Sequence, residues 1–376
     1  MNGFTQFIRH LVIILTLIIV SGHISALHAA QELQTRNVIL VTTDGLRIQE
    51  MFEGLDPMLL NNREKSGIDN EARLREKFWR DDPKERREAL LPFFWGTLAK
   101  QGVVLGNQKL NSVVKVQNRH HFSYPGYAEI LTGQPQPEVN SNDPIRIKVP
   151  TALDFARQKL NLDNKGVAAF ASWNIFNYFV THEEDSFYVN AGYKAVSEEI
   201  VTRRMRRLSR QQFQMLTPWD SVRHDVVTCE LALSYLEEYK PRVLYVAPGE
   251  TDDWAHNRRY DRVIEMAHYF DNFLEDLWNT LQSMDEYKDK TTLIITTDHG
   301  RGVQLDDWTG HGSKIPGADD IWVAVIGPDT PDKGELKDTP QYYQGSAAST
   351  LLTFLGLDYR EYNPDIQPPI AEAIEK

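Results

Sequence analysis

Three apolar runs in this chain end in carboxylates and imidazoles. Asn37-Val-Ile-Leu-Val-Thr-Thr43 leads into Asp44-Gly45, Arg242-Val-Leu-Tyr-Val-Ala247 into Glu250-Thr-Asp252-Asp253-Trp-Ala-His256, and Thr292-Leu-Ile-Ile-Thr-Thr297 into Asp298-His299-Gly300. Asp252 and His256 stand four apart, so one helical turn points both the same way. A fourth segment, Trp308-Thr-Gly-His311-Gly-Ser313, sets a histidine between two glycines, where backbone can approach closely. Each feature alone has an ordinary reading: Asp-Gly is a turn, a spaced Asp and His make a surface helix contact, and a loop histidine needs no role. Together, three Asp and three His supply enough donors for two metal ions. Mixed oxygen and imidazole donors suit zinc or manganese better than calcium.

A nucleophile is available as well. His121-Phe-Ser123-Tyr-Pro-Gly-Tyr127-Ala-Glu-Ile-Leu-Thr132-Gly133 reads as a strand end, a serine and a helix. Ser123 fits the N-cap, Pro125 the first turn and Gly133 the stop. A hydroxyl at a helix N-terminus lies where free N–H groups attract an anion, although a plain capping serine has the same pattern. Arg119, His120 and His121 flank it and could contact phosphate, or simply pack or face solvent.

These residues need a frame that brings strand ends together. The three runs, with Gly166-Val-Ala-Ala-Phe-Ala171 and Ile321-Trp-Val-Ala-Val-Ile326, are continuous enough for strands buried on both faces. Between them, about Arg258 to Met284 carries Val263, Ala267, Phe270, Leu274, Leu277 and Leu281 on one helical stripe. The alternation predicts an α/β fold with a mainly parallel central sheet and helices on both faces, whose ligands gather outside the C-terminal strand ends. Residues 61–87, dense in charge, are expected to form a solvated helical insertion. Trp173 to Tyr193, rich in aromatic residues and Asn, reads equally as a pocket wall or as a packed hairpin.

Composition limits the alternatives. With 41 Lys+Arg against 53 Asp+Glu, the formal charge is −12, which argues against a nucleic-acid-binding surface. A single cysteine, Cys229, excludes an internal disulfide and any Cys-rich metal site. At the N-terminus, Arg9-His10 precede the apolar run Leu11–Val20 and small residues through Ala29-Ala30. That order is a secretory signal peptide over 1–30, which leaves one mature domain over 31–376 with no membrane span and a periplasmic or extracellular address. An uncleaved anchor is the competing reading, though the apolar part is only about half a span.

The combination resembles the alkaline phosphatase superfamily, and is most similar to its nucleotide pyrophosphatase/phosphodiesterase branch and bacterial phosphatase-like relatives. The resemblance runs from about Asn37 to Pro328 over five motifs in order: strand-Asp44-Gly-Leu-Arg47, Ser123 through Leu-Thr-Gly133, Asp252-x-x-x-His256, Asp298-His299-Gly300 and Gly310-His311-Gly312. It implies an alkaline-phosphatase-like fold and two divalent ions, most simply zinc, with manganese as the other choice. Asp252, His256 and His311 would hold one; Asp44, Asp298 and His299 would hold the other, with Ser123 as its further ligand and the nucleophile. The implied activity is hydrolysis of phosphate esters through a phosphoserine, on a small molecule, a nucleotide or a lipid head group. The phosphodiesterase branch has Thr followed by Phe-Pro-Asn-His where this chain has Ser123-Tyr-Pro-Gly-Tyr127. Asn140, Asn142 and Tyr127 are the substrate-binding candidates. Sulfatases of the same superfamily, the main rival, carry an Arg four residues beyond the nucleophile, where Tyr127 stands here. A non-catalytic exported binding protein is the remaining alternative.

Overall fold

Alternate residues of one buried strand face two different cores. Val38 and Leu40 of Asn37–Thr43 pack into one apolar layer and Ile39 and Val41 into the other, so this strand lies in the middle of a sheet covered on both sides. The computed structural model describes residues 33–199 and 201–374, and the expected signal peptide lies outside the described residues. From Thr35 onward the chain forms one compact unit. Its strands are β1 (Asn37–Thr43), β2 (Gly102–Leu105), β3 (Val114–Lys115), β4 (Val167–Ala171), β5 (Tyr188–Ala191) and β6 (Val243–Ala247). They continue with β7 (Thr291–Thr297), β8 (Asp320–Ile321), β9 (Val323–Ile326), β10 (Gly334–Glu335) and β11 (Tyr342–Tyr343).

Eight of these form one sheet in the order β10-β2-β9-β7-β1-β6-β4-β5, and β3, β8 and β11 a small second sheet. β1 pairs in parallel with both β6 and β7, and β4 continues the parallel set between β6 and β5. Among the described residues of the large sheet, only β9 runs against its neighbours β7 and β2. The three strands that precede the Asp and His motifs are therefore adjacent and point the same way. Helix Tyr260–Ser283 buries its predicted stripe, including Val263, Phe270, Leu274 and Leu281, on one face of the sheet. On the other face lie helices Ser123–Thr132, Ala152–Lys159 and Ser346–Phe354.

Three expectations change in detail. The run Ile321–Ile326 is not one strand: it breaks at Trp322, whose buried indole donates to the Leu46 carbonyl at 3.0 Å and so supports the loop after β1. Residues 61–87 do form helices, but not a purely solvated cap. Ile68, Leu74 and Phe78 enter the core, and Arg87 is buried on Glu335, with Nη–Oε distances of 2.9 and 2.8 Å. The aromatic stretch 173–193 is not a hairpin, and part of it, including Asn177, Tyr178, Phe187 and Val189, lines a surface pocket. β5 pairs in parallel with β4, and Phe176 and Phe179 pack on the ring of Tyr127.

Candidate metal centre

The loop after β1 turns sharply because Gly45 adopts φ +60, and its amide donates to Asp298 Oδ1 at 3.0 Å. A side chain there would be both strained and tight: a Cβ on Gly45 would lie 3.0 Å from Asp252 Oδ1 and 3.1 Å from His299 Cε1, so those groups would have to shift. Asp44 is thereby set against Asp298 and His299, which leave the end of the neighbouring β7. The third strand, β6, is followed by helix Glu250–His256, on which the predicted four-residue spacing brings His256 Nε2 to 3.1 Å from Asp252 Oδ2. His311 comes from the loop between β7 and β8, with its Nε2 3.0 Å from His256 Nε2.

His299 stands at the centre. Its Nδ1 donates to the Gly300 carbonyl at 2.9 Å, which leaves the Nε2 lone pair directed at the acids, as expected of a metal-binding imidazole held by its other nitrogen. From Nε2 the distances are 3.3 Å to Asp44 Oδ1, 3.4 Å to Asp298 Oδ2, 3.8 Å to Asp252 Oδ1 and 3.2 Å to Ser123 Oγ. Two three-residue groups have all their donor atoms within 4.8 Å of one another: Asp44, Asp298 and His299, and Asp252, His299 and His311. His256 joins the second group through its contacts with Asp252 and His311. The division expected from sequence is thus softened, since His299 reaches both groups.

The electrostatics suit a bound cation. Burial, then the charge of Asp252, holds the Asp44 carboxyl well above its ordinary range; burial, then Asp44, does the same to Asp298. Burial alone would also raise Asp252, but Arg301 and then His256 outweigh it and hold it well below the carboxylate range. Burial lowers His299 to about 4 and His311 to about 2, so both rings are neutral at pH 7 and able to ligate. Asp44 Oδ1, Asp298 Oδ2 and His311 Nδ1 are buried without a hydrogen-bond partner. Buried carboxylate oxygens are otherwise paired or bound to metal. Their convergence on neutral imidazole fits divalent ions.

Ser123 is not the N-cap. Phe122 takes that place with extended backbone, and Ser123 is the first helical residue. Its hydroxyl does no capping and faces His299 instead. Asn142 supplies a capping oxygen, accepting from the Tyr124 amide at 3.0 Å. That places Asn142 beside the nucleophile helix N-terminus, whereas exposed Asn140 lines a separate groove with Tyr124 and Glu138. Tyr127, a substrate-binding candidate from sequence, is fully buried and its phenol donates to Asp44 Oδ2 at 3.0 Å. It holds the Asp44 carboxylate and, fully buried, does not line a pocket. His120 and His121 are held by the Asn118 side chain, which accepts both their amides at 3.0 and 3.1 Å.

Sequence reasoning passed over Arg301. The guanidinium is buried against the Asp252 carboxylate and donates to the Thr309 carbonyl at 2.7 Å. A cation directly after Asp298-His299-Gly300, in a region already rich in acids, was the available signal. Gln344, which donates to the Thr297 carbonyl at 3.1 Å, gave no local signal.

Neither a protein-family model nor a curated protein sequence matches the chain. Solved structures do. The alkaline phosphatase PafA superposes with a TM-score of 0.56 at 10% identity, covering 92% of this chain and 100% of that one. A 2-O GAG sulfatase gives 0.53 at 14%, covering 86% and 71%, and the lipoteichoic acid synthase LtaP from Listeria monocytogenes 0.52 at 13%, covering 86% and 72%. The fold is that of the alkaline phosphatase superfamily. On that fold, two groups of carboxylates and imidazoles and the Ser123 hydroxyl converge beyond the ends of β1, β6 and β7.

Proposed function

We propose that this protein is an exported two-metal hydrolase of phosphate esters that works through Ser123. The observation that carries the reading is the Ser123 hydroxyl, unused by its helix and 3.2 Å from His299 Nε2 among the buried ligands. Asp252, His256 and His311 would hold one ion and Asp44, Asp298 and Ser123 the other, with His299 between them. Bound divalent ions supply Lewis acidity at the nucleophile and leaving oxygens, and the mixed donor set favours zinc or manganese. Ser123 Oγ forms the new bond to phosphorus as the ester P–O bond breaks; the hydroxyl proton passes to solvent water, and the departing alkoxide takes a proton back from it. Water then cleaves the phosphoserine from the opposite side. Asn142, at the helix N-terminus, is the side chain best placed to steady a phosphoryl oxygen.

Tyr127 bears on the choice against a sulfatase. The residue four beyond the nucleophile is buried on Asp44 and offers no cationic fork. The test is a panel of phosphate monoester, phosphate diester and sulfate ester on the wild type and Ser123→Ala. Phosphate turnover well above sulfate turnover, abolished in Ser123→Ala with metal content kept, supports the reading. Formylglycine at position 123 by peptide mass spectrometry, or faster sulfate turnover, replaces it with the sulfatase.

A further inference from the structure

The segment 203–216 runs against the character of the rest of the chain. In a protein of formal charge −12, helix Arg203–Gln211 carries five exposed arginines, 203, 204, 206, 207 and 210. Arg203, Arg206, Arg207 and Arg210 follow the i, i+3, i+4, i+7 spacing of one helix face. The opposite face is anchored: Met205 is buried in the main core, and Ser209 Oγ accepts from the Val196 amide at 3.0 Å. Arg204 pairs with Glu230 and Arg206 with Glu198. Arg203, Arg207 and Arg210 make no ion pair among the described residues.

Immediately after this helix the chain exposes apolar side chains. Phe213 is 51% exposed, Met215 38% and Leu216 75%. Among the described residues only two other large apolar side chains are exposed, and one, Val226, is two residues from His224, whose ring meets the Leu216 backbone. Thr217 pins the segment by donating to the Val222 carbonyl at 2.6 Å. Trp219 then packs edge-on against Trp254, at 4.8 Å, on the helix that bears Asp252 and His256. Through Trp219 the segment is tied to the helix that carries Asp252 and His256.

We infer that residues 203–216 dock on an anionic lipid surface. Arginines on a fixed face meet negative head groups while Phe213, Met215 and Leu216 enter the acyl boundary, the pairing that defines interfacial segments. A soluble polyanion would use the arginines but gain nothing from the exposed apolar side chains, which otherwise carry a solubility penalty. This goes beyond the proposed hydrolase activity and does not depend on it.

The test is flotation of the purified protein with vesicles of phosphatidylcholine alone, or with about a third phosphatidylglycerol. Expected are binding to the anionic vesicles only, its loss at high salt, and a roughly hundredfold drop for the triple variant Arg203→Gln, Arg207→Gln, Arg210→Gln, at about fivefold per arginine. Leu216→Ser should weaken vesicle binding several-fold, and turnover of a soluble ester should stay unchanged in both variants. The N-terminal apolar segment is common to all the proteins compared, so only differences between them count. Equal binding to neutral vesicles, or equal binding by the triple variant, overturns the proposal. Capture of soluble heparin without vesicle binding overturns it in favour of a polyanion, and self-association abolished by Leu216→Ser in favour of a second copy.

Discussion

Replacing Tyr127 by Phe removes one atom from the candidate centre and leaves the packing intact. The ring stacks on Phe179 at 5.7 Å and meets Phe176 edge-on at 4.7 Å, contacts that phenylalanine keeps. What is lost is the 3.0 Å hydrogen bond to Asp44 Oδ2, in a place with no solvent to replace it. That bond is among the influences holding the Asp44 carboxyl down against burial and the charge of Asp252. Without it the protonated acid gains, and an ion must displace a proton more often. Loss of such an outer partner costs about tenfold to a hundredfold in metal affinity, which is about 1.4 to 2.7 kcal/mol. Tyr127→Phe should therefore bind zinc that much more weakly in chelator competition, with the deficit growing as pH falls, while metal-free melting moves by no more than about 3 kcal/mol. A residue lining the substrate pocket would do the reverse. A raised KM with unchanged zinc affinity would refute the assignment of Tyr127 to Asp44.

Further outcomes follow from the same geometry. Gly45→Ala should cost roughly 1–3 kcal/mol, from an alanine held at φ +60, and should weaken metal binding besides, because its Cβ would press on Asp252 and His299; denaturant titration and metal titration read the two effects separately. Burial raises Glu129 to about 7 against the opposing N–H donors of Asn118 and Gln117. A buried acid raised in the folded state favours folding below its unfolded pKa, and that advantage is lost as pH rises through the folded one. Its contribution should fall by roughly 3 kcal/mol between about pH 4.5 and pH 7, and Glu129→Gln should flatten the stability profile in that window alone. The proposed export predicts that N-terminal sequencing of the mature protein begins between Leu27 and Gln31; an intact Met1 in a membrane fraction would favour an anchor.

The sheet and the convergence of its Asp and His residues were legible because they depend on local pattern. β1 and β7 are runs without a turn residue, so their ends, Asp44 and Asp298-His299, could be placed at the C-terminal edge before their neighbours were known. The spacing of Asp252 and His256 is a property of one helical turn. Ser123 was misread as a cap because the choice between Ser123 and Phe122 depends on backbone angles that the dense turn residues do not reveal. Tyr127 and Arg301 could not be assigned from spacing, since each takes its role from a partner 83 or 49 positions away. Trp322 broke a run of apolar residues because its indole found an acceptor in another loop, which hydropathy does not register.

Metal analysis of the purified protein, paired with phosphate-ester turnover before and after chelation, tests the central claim most directly. Two groups of donors around His299 predict about two transition-metal ions per chain, with activity lost on chelation and restored by zinc or manganese. A single bound calcium with no transition metal, or turnover indifferent to chelation, would contradict the two-metal account.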